Sequence, residues 1–129
     1  MLLLDTHAFI WLALDWSKFP VSLFETLDKE IGNFYISAIS VVEIGLLVNS
    51  GKVSIPSSCD YFLSQNSDHY GIQKIPVNVE IALASTQLPQ IHRDPFDRII
   101  IATAQTHGMT ILTKDRTIPT YPKVKAIWE

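Results

Sequence analysis

Leu2-Leu3-Leu4-Asp5-Thr6-His7 opens the chain, and the fold class turns on how this stretch is read. Three consecutive leucines leave no polar side for a solvated face. The run therefore reads as a central strand, Leu2–Asp5, buried on both faces as strands of parallel sheets are. Asp5 or Thr6 would cap the helix that follows, through about Leu14. Working outward, Pro20 suits the first turn of a second helix with Val21, Phe24, Leu27 and Ile31 at helical spacing. Gly32-Asn33 breaks the chain before a strand at Phe34–Ser37, and a helix from Ile39 to Asn49 ends at Gly51. Pro56 to His69 is a weaker helical stretch with Tyr61, Phe62 and Tyr70 inward. A strand at Ile72–Pro76 and a helix at Val79–Leu88 come next. Asp94 to His107 forms the clearest helix, stopped by Gly108. Thr110–Thr113 and Val124–Trp128 supply two more strands. Strands alternating with helices predict an α/β fold with a mostly parallel central sheet.

The 129 residues suit one domain, 1–129, and 47% hydrophobic composition with 18% charge provides an ample core. A net charge of -3 argues against a protein that coats nucleic acid with a broad basic face. It leaves room for a nuclease whose metal ions supply local positive charge. Cys59 is the single cysteine, so no internal disulfide is possible and a reducing cytoplasm is expected. The apolar start lacks a basic leader and is interrupted by Asp5 and His7. Its longest unbroken apolar stretch, Ala8 to Leu14, falls far short of the ~20 residues of a membrane span.

Four acids fall at the ends of these apolar segments: Asp5, Glu43, Asp97 and Asp115. Ligands of open α/β sheets bind beyond the carboxyl ends of the strands, where Asp5 and Asp115 should emerge. Carboxylates brought together repel by about 4 kcal/mol per pair at 4 Å and an effective dielectric near 20. Such a cluster persists chiefly when a cation fills it, and hard oxygen ligands select Mg²⁺ or Mn²⁺. Each acid also has an ordinary reading. Asp5 and Asp94 serve as N-caps, and Asp115 as a turn residue. Glu43 could belong to a solvated stripe with Ser40 and Ser50. It is, however, the sole charge between Phe34 and Asn49, on an otherwise apolar helix. Joint placement, more than any single residue, points to a site.

Around the acids, Thr6 and Thr113 are placed to orient a carboxylate or a metal-bound water, and Ser37 and Ser40 flank the helix of Glu43. Arg93, Arg98, Lys114 and Arg116 crowd the acids in sequence, either to grip phosphate or to balance the carboxylates. His92 lies close enough to assist, whereas His7, His69 and His107 lack ligand spacing and read as surface or packing residues. No G-x-S-x-G occurs, Cys59 has no evident base, and no glycine-rich phosphate loop is present.

Leu3-Leu4-Asp5-Thr6-His7, Ser37 through Ile44, His92-Arg93-Asp94-Pro95-Phe96-Asp97-Arg98 and Leu112-Thr113-Lys114-Asp115 together resemble the PIN-domain nucleases. Within that family they look like the VapC-type ribonuclease toxins of toxin–antitoxin pairs. The resemblance runs in order from Leu3 to Trp128. It implies a three-layer α/β/α sandwich that cuts single-stranded RNA with Mg²⁺ or Mn²⁺, with Asp5, Glu43 and Asp97 as core metal-site acids and Asp115 as the fourth. Thr6, Ser40, Asp94, Arg98 and Thr113 would support them. It also implies a homodimer and an antitoxin, VapB-like or similar, whose tail blocks the cleft; DNA contact is expected only with that antitoxin. One departure is that the fourth block commonly continues to an aromatic, whereas Arg116-Thr117-Ile118 follows here.

The chemistry expected is phosphodiester hydrolysis by water, with a second metal, Arg98 or a neighbouring lysine offsetting the excess negative charge. Three other readings compete. A phosphoacceptor receiver would have adjacent acids after the first strand, and a haloacid-dehalogenase-type phosphatase D-x-D; here Thr6 and His7 follow Asp5. The third is a PIN-like module that binds RNA or protein without turnover.

Overall fold

Strands and helices alternate along the computed structural model, which describes residues 1–129. In chain order they are β1 (Leu2–Leu4), α1 (Thr6–Leu14), α2 (Phe24–Lys29), β2 (Phe34–Ser37), α3 (Ala38–Asn49) and α4 (Cys59–Tyr70). There follow β3 (Ile72–Ile75), α5 (Val79–Thr86), α6 (Pro95–His107), β4 (Thr110–Leu112) and β5 (Lys125–Ile127). The five strands form one sheet in the order β3-β2-β1-β4-β5, parallel at every pairing. β1 is central, and all three of its leucines are buried.

Successive side chains of a strand face opposite sides of the sheet, so β1 serves two cores. Leu2 and Leu4 join Phe9, Leu12, Phe34, Ile36 and Phe62 on one face. Leu3 joins Ile100, Ile101, Ala104 and Ile111 on the other. Helices thus cover both faces, giving the expected α/β/α sandwich. Each fully buried leucine contributes about 1.5–3 kcal/mol.

The register sets up the site. Leu4 pairs with Ile36 on one side and Leu112 on the other, which brings Asp5, Ser37 and Thr113 level in the next row. There the chain leaves the sheet, into α1 after Asp5, into α3 after Ser37 and into a turn after Thr113. Strand order also reverses between β1 and β4, the position where open α/β sheets leave a crevice. α6 runs back into β4 through Gly108, so its first turn, with Asp97, lies at the same edge of the sheet.

Two stretches depart from the periodicity reading. After Pro20 the chain makes a 3₁₀ turn, Val21–Leu23, before α2 begins. Its tighter winding rotates the inward stripe. Leu23 and Leu27 are buried, while Val21 and Ile31 are exposed. In α4, Phe62 is buried but its neighbour Tyr61 is exposed, because adjacent helical positions cannot share one narrow apolar face. This helix starts at Cys59, later than Pro56, where the Ser58 hydroxyl caps Tyr61 N. It ends at Gly71 with φ +64°, where a Cβ would stand 2.6 Å from the Cα of Gly32. Only glycine satisfies both the backbone angle and that contact.

Candidate active site

Asp5 is buried at the N-cap of α1, its Oδ1 accepting from Ala8 N at 2.8 Å. Burial raises its pKa, and the Thr113 hydroxyl and Ala8 N–H only partly offset that. Beside it the Thr6 hydroxyl donates to Ser40 at 3.1 Å. This buried bond ties the first turn of α1 to that of α3, one turn before Glu43. Ser37 caps α3 through Ile39 N at 3.1 Å.

Glu43 is half-buried, and its Oε1 is shielded from solvent without a hydrogen-bond partner. A buried carboxylate oxygen left in that state costs at least about 1–3 kcal/mol, so its placement calls for a ligand. Asp94 caps α6 through Phe96 N at 2.9 Å, with Pro95 at the first helical position. Asp97 follows in the first helical turn. Burial, then the charges of Asp94, Asp5 and Glu43, push its pKa up to about 7 against the opposing pull of His92. Asp115 sits in the turn beyond β4. Burial acts to raise its pKa, but hydrogen bonds from His92 and Thr117 together outweigh it and hold the group below the usual range. Thr113 shapes this turn by accepting from Asp115 N at 3.0 Å.

A cavity of about 390 Å³ gathers Asp5, Glu43, Asp94, Asp97 and Asp115 with Thr6, His7, Trp11 and Lys114. The geometry therefore assembles all four acids singled out in the sequence and adds Asp94 to their lining. His92 stands beside them, its Nε2 3.0 Å from Oδ2 of both Asp97 and Asp115. Its Nδ1 accepts from Asp94 N at 3.2 Å, which places the ring proton on Nε2 and makes the side chain a donor to the two carboxylates. Two residues before the α6 cap, it was visible as a neighbour but not as a bridge between distant acids.

Arg98 corrects the expectation of a phosphate-gripping guanidinium. It is buried, and its two terminal nitrogens donate to the carbonyls of Pro89, His92, Ser85 and Leu88 at 2.9–3.2 Å. Those bonds fix the loop between α5 and α6, so Arg98 positions His92 and the acids from behind. Lys114 is the cation that reaches the cavity. His7 and Trp11 also line it, and neither was expected there. Their spacing of four along α1 was the available signal, since it puts both on one helical face.

The donors fit a hard divalent cation: five carboxylates, no thiolate, and an orphaned oxygen on Glu43. His92, Asp97 and Asp115 bring ligand atoms within 4.8 Å of one another, a spacing at which they could share one ion, and Asp5 and Glu43 line the same cavity.

A PIN-domain family model matches residues 2–124. The chain is a PIN domain. Among its relatives is Ribonuclease VapC22 of Mycobacterium tuberculosis, 28% identical over an alignment of 132 positions that covers 98% of this chain and 97% of that protein. Solved structures share the PIN fold. VapBC2 from Rickettsia felis, bound to a DNA fragment from their promoter, superposes at a TM-score of 0.74 with 16% identity, covering 99% of this chain and 98% of that one. FitAcB from Neisseria gonorrhoeae does so at 0.66 with 21% identity, covering 98% and 96%. No helix of this PIN domain is long and apolar enough to cross a membrane.

Proposed function

We propose that this PIN domain is a metal-dependent endoribonuclease of the VapC type, the toxin of a cytoplasmic toxin–antitoxin pair. The observation that carries the reading is the convergence of Asp5, Glu43, Asp97 and Asp115 on one cavity, with an unsatisfied oxygen on Glu43. Its full-length similarity to a VapC ribonuclease supports the choice of RNA as substrate. Asp5, Glu43, Asp97 and Asp115 would hold Mg²⁺ or Mn²⁺. When bound, the ion supplies Lewis-acid chemistry that offsets phosphate charge and makes water more acidic.

The chain's own residues prepare that chemistry. The α1 N-terminus stabilises the Asp5 carboxylate, and the α6 N-terminus does the same for Asp94 and Asp97. His92 holds Asp97 and Asp115 within reach of one donor, which fixes their separation. Lys114 provides the positive charge that Arg98 does not, at the mouth of an otherwise anionic cleft. Val41, Val42 and Leu46 on α3 and Val79 and Leu83 on α5 stay exposed. Apolar faces of this kind suit a second copy of the chain and a VapB-like antitoxin; DNA contact then belongs to the antitoxin.

Purified chain free of antitoxin, incubated with mixed RNAs, should give discrete cuts with Mg²⁺ or Mn²⁺ and none with EDTA. Asp5→Asn and Asp97→Asn should abolish them. RNA left intact by folded, metal-binding protein would replace the nuclease with a non-catalytic binding module.

A further inference from the structure

Five of the nine residues lining the active-site cavity are carboxylates, and the hydroxyl of Thr6 is engaged with Ser40. His7, Trp11 and Lys114 remain, and holding a metal ion requires none of them. Trp11 is held by edge contacts with Phe19 and Trp128, at ring-centroid distances of 6.5 and 5.7 Å. His7 packs against it at a ring-centroid distance of 5.7 Å, the two rings tilted by 49°, and is exposed to solvent. Lys114 Nζ stands 5.9 Å from the Trp11 ring centroid. Although it shares the cavity with five acids, Lys114 forms no ion pair with any of them. An exposed ammonium resting on an aromatic face, with no ion pair of its own, is available to another anion.

We propose that His7, Trp11 and Lys114 form a nucleotide subsite next to the metal centre: His7, on its Trp11 support, stacks one unpaired base, and Lys114 contacts the phosphate joined to it. This inference rests on the ribonuclease reading and names how that site grips its strand. Unstacked bases of single-stranded RNA are taken up on aromatic side chains, and stacking tolerates any base because every base has a π-face. A rigid tryptophan backing lowers the ordering cost of the exposed histidine. Beyond Lys114 a second cavity of about 250 Å³ shares Lys114 and Asp115 and continues to Arg116 and Trp128. The strand therefore has a path past Asp115, with a second cation and a second aromatic along it and the Glu129 carboxylate also in the lining.

The test is fluorescence anisotropy with a labelled 12-nucleotide single-stranded RNA of mixed sequence, with Ca²⁺ in place of Mg²⁺, and with a matching set of strands each carrying one abasic position. His7→Ala should weaken binding about tenfold. His7→Phe should recover most of that loss, and one abasic strand should bind wild type and His7→Ala alike. Lys114→Ala should lower the slope of log affinity against log salt by about one. Both positions are exposed, so the variants should melt with wild type. Wild-type affinity and salt slope in His7→Ala and Lys114→Ala would overturn the subsite while leaving the nuclease standing. RNA binding that depends on His7 without any cleavage in Mg²⁺ or Mn²⁺ would overturn the nuclease and keep the subsite. Absence of RNA binding by wild type would overturn both.

Discussion

Asp97 and Arg98 are adjacent in sequence and do opposite work. Asp97 faces the other acids, and its pKa of about 7 means the folded chain keeps a proton that the unfolded chain loses near 3.8. Between those values the folded state binds more protons, so metal-free stability falls as pH rises from about 4 to 7. Asp97→Asn removes that contribution. The variant should gain on the order of 3 kcal/mol over wild type at pH 7.5 in EDTA, and little at pH 4. Chemical denaturation at the two pH values measures the difference, and an equal gain at both would show that its origin is not Asp97 ionisation. Arg98 faces away, toward four carbonyls. Arg98→Ala strands all four and should cost about 3 kcal/mol or more, with Arg98→Lys recovering part because an ammonium cannot span the same fork. Urea melts of the two variants check this. Had Arg98 been a phosphate ligand, its loss would instead have left stability unchanged.

At the scale of elements, caps carry much of the site's geometry. Asp5, Ser37 and Asp94 each accept a backbone N–H at the start of a helix whose first turns hold functional groups. One substitution can therefore perturb fold and chemistry together, and Asp94 offers a way to separate them. Asp94→Asn keeps the cap, since asparagine accepts the same N–H, while Asp94→Ala loses it at about 1 kcal/mol. Thermal melts should place Asp94→Asn near or above wild type, because one charge beside Asp97 is gone, and Asp94→Ala below both. If Asp94→Asn melted as low as Asp94→Ala, the carboxylate charge rather than the cap would be holding α6. These local signals were legible in the sequence. D-P-F-D marks a helix start by residue type alone, and Gly108 marks its end. The second helix was less legible, because a 3₁₀ turn after Pro20 moved the buried stripe to Leu23 and Leu27.

Across the whole molecule, metal binding should be linked to stability. A ligand that binds only the folded state stabilises it by about 2.7 kcal/mol at a hundred times its Kd. Mn²⁺ should accordingly raise Tm by roughly 10 °C in wild type, for a domain of this size. Glu43→Gln, which blunts the orphaned oxygen, should lose most of that rise; an undiminished shift would place the ion elsewhere. The sequence by itself determined the α/β class and set Asp5, Asp97 and Asp115 at or near element ends, whereas Glu43, expected at the end of an apolar segment, lies within α3. Apolar periodicity, caps and glycine stops are properties of neighbouring residues, and parallel strands deliver their carboxyl ends to one edge. Only the tertiary structure decided which cation and which aromatics enter the cleft. Arg98 and Lys114 are equally close to acids in sequence, yet one faces buried carbonyls and the other the cavity. His92 meets Asp115 across 23 residues, and Trp11 of α1 meets Lys114 of the turn beyond β4. Those encounters follow from strand register and helix rotation, which packing sets between segments far apart in the chain.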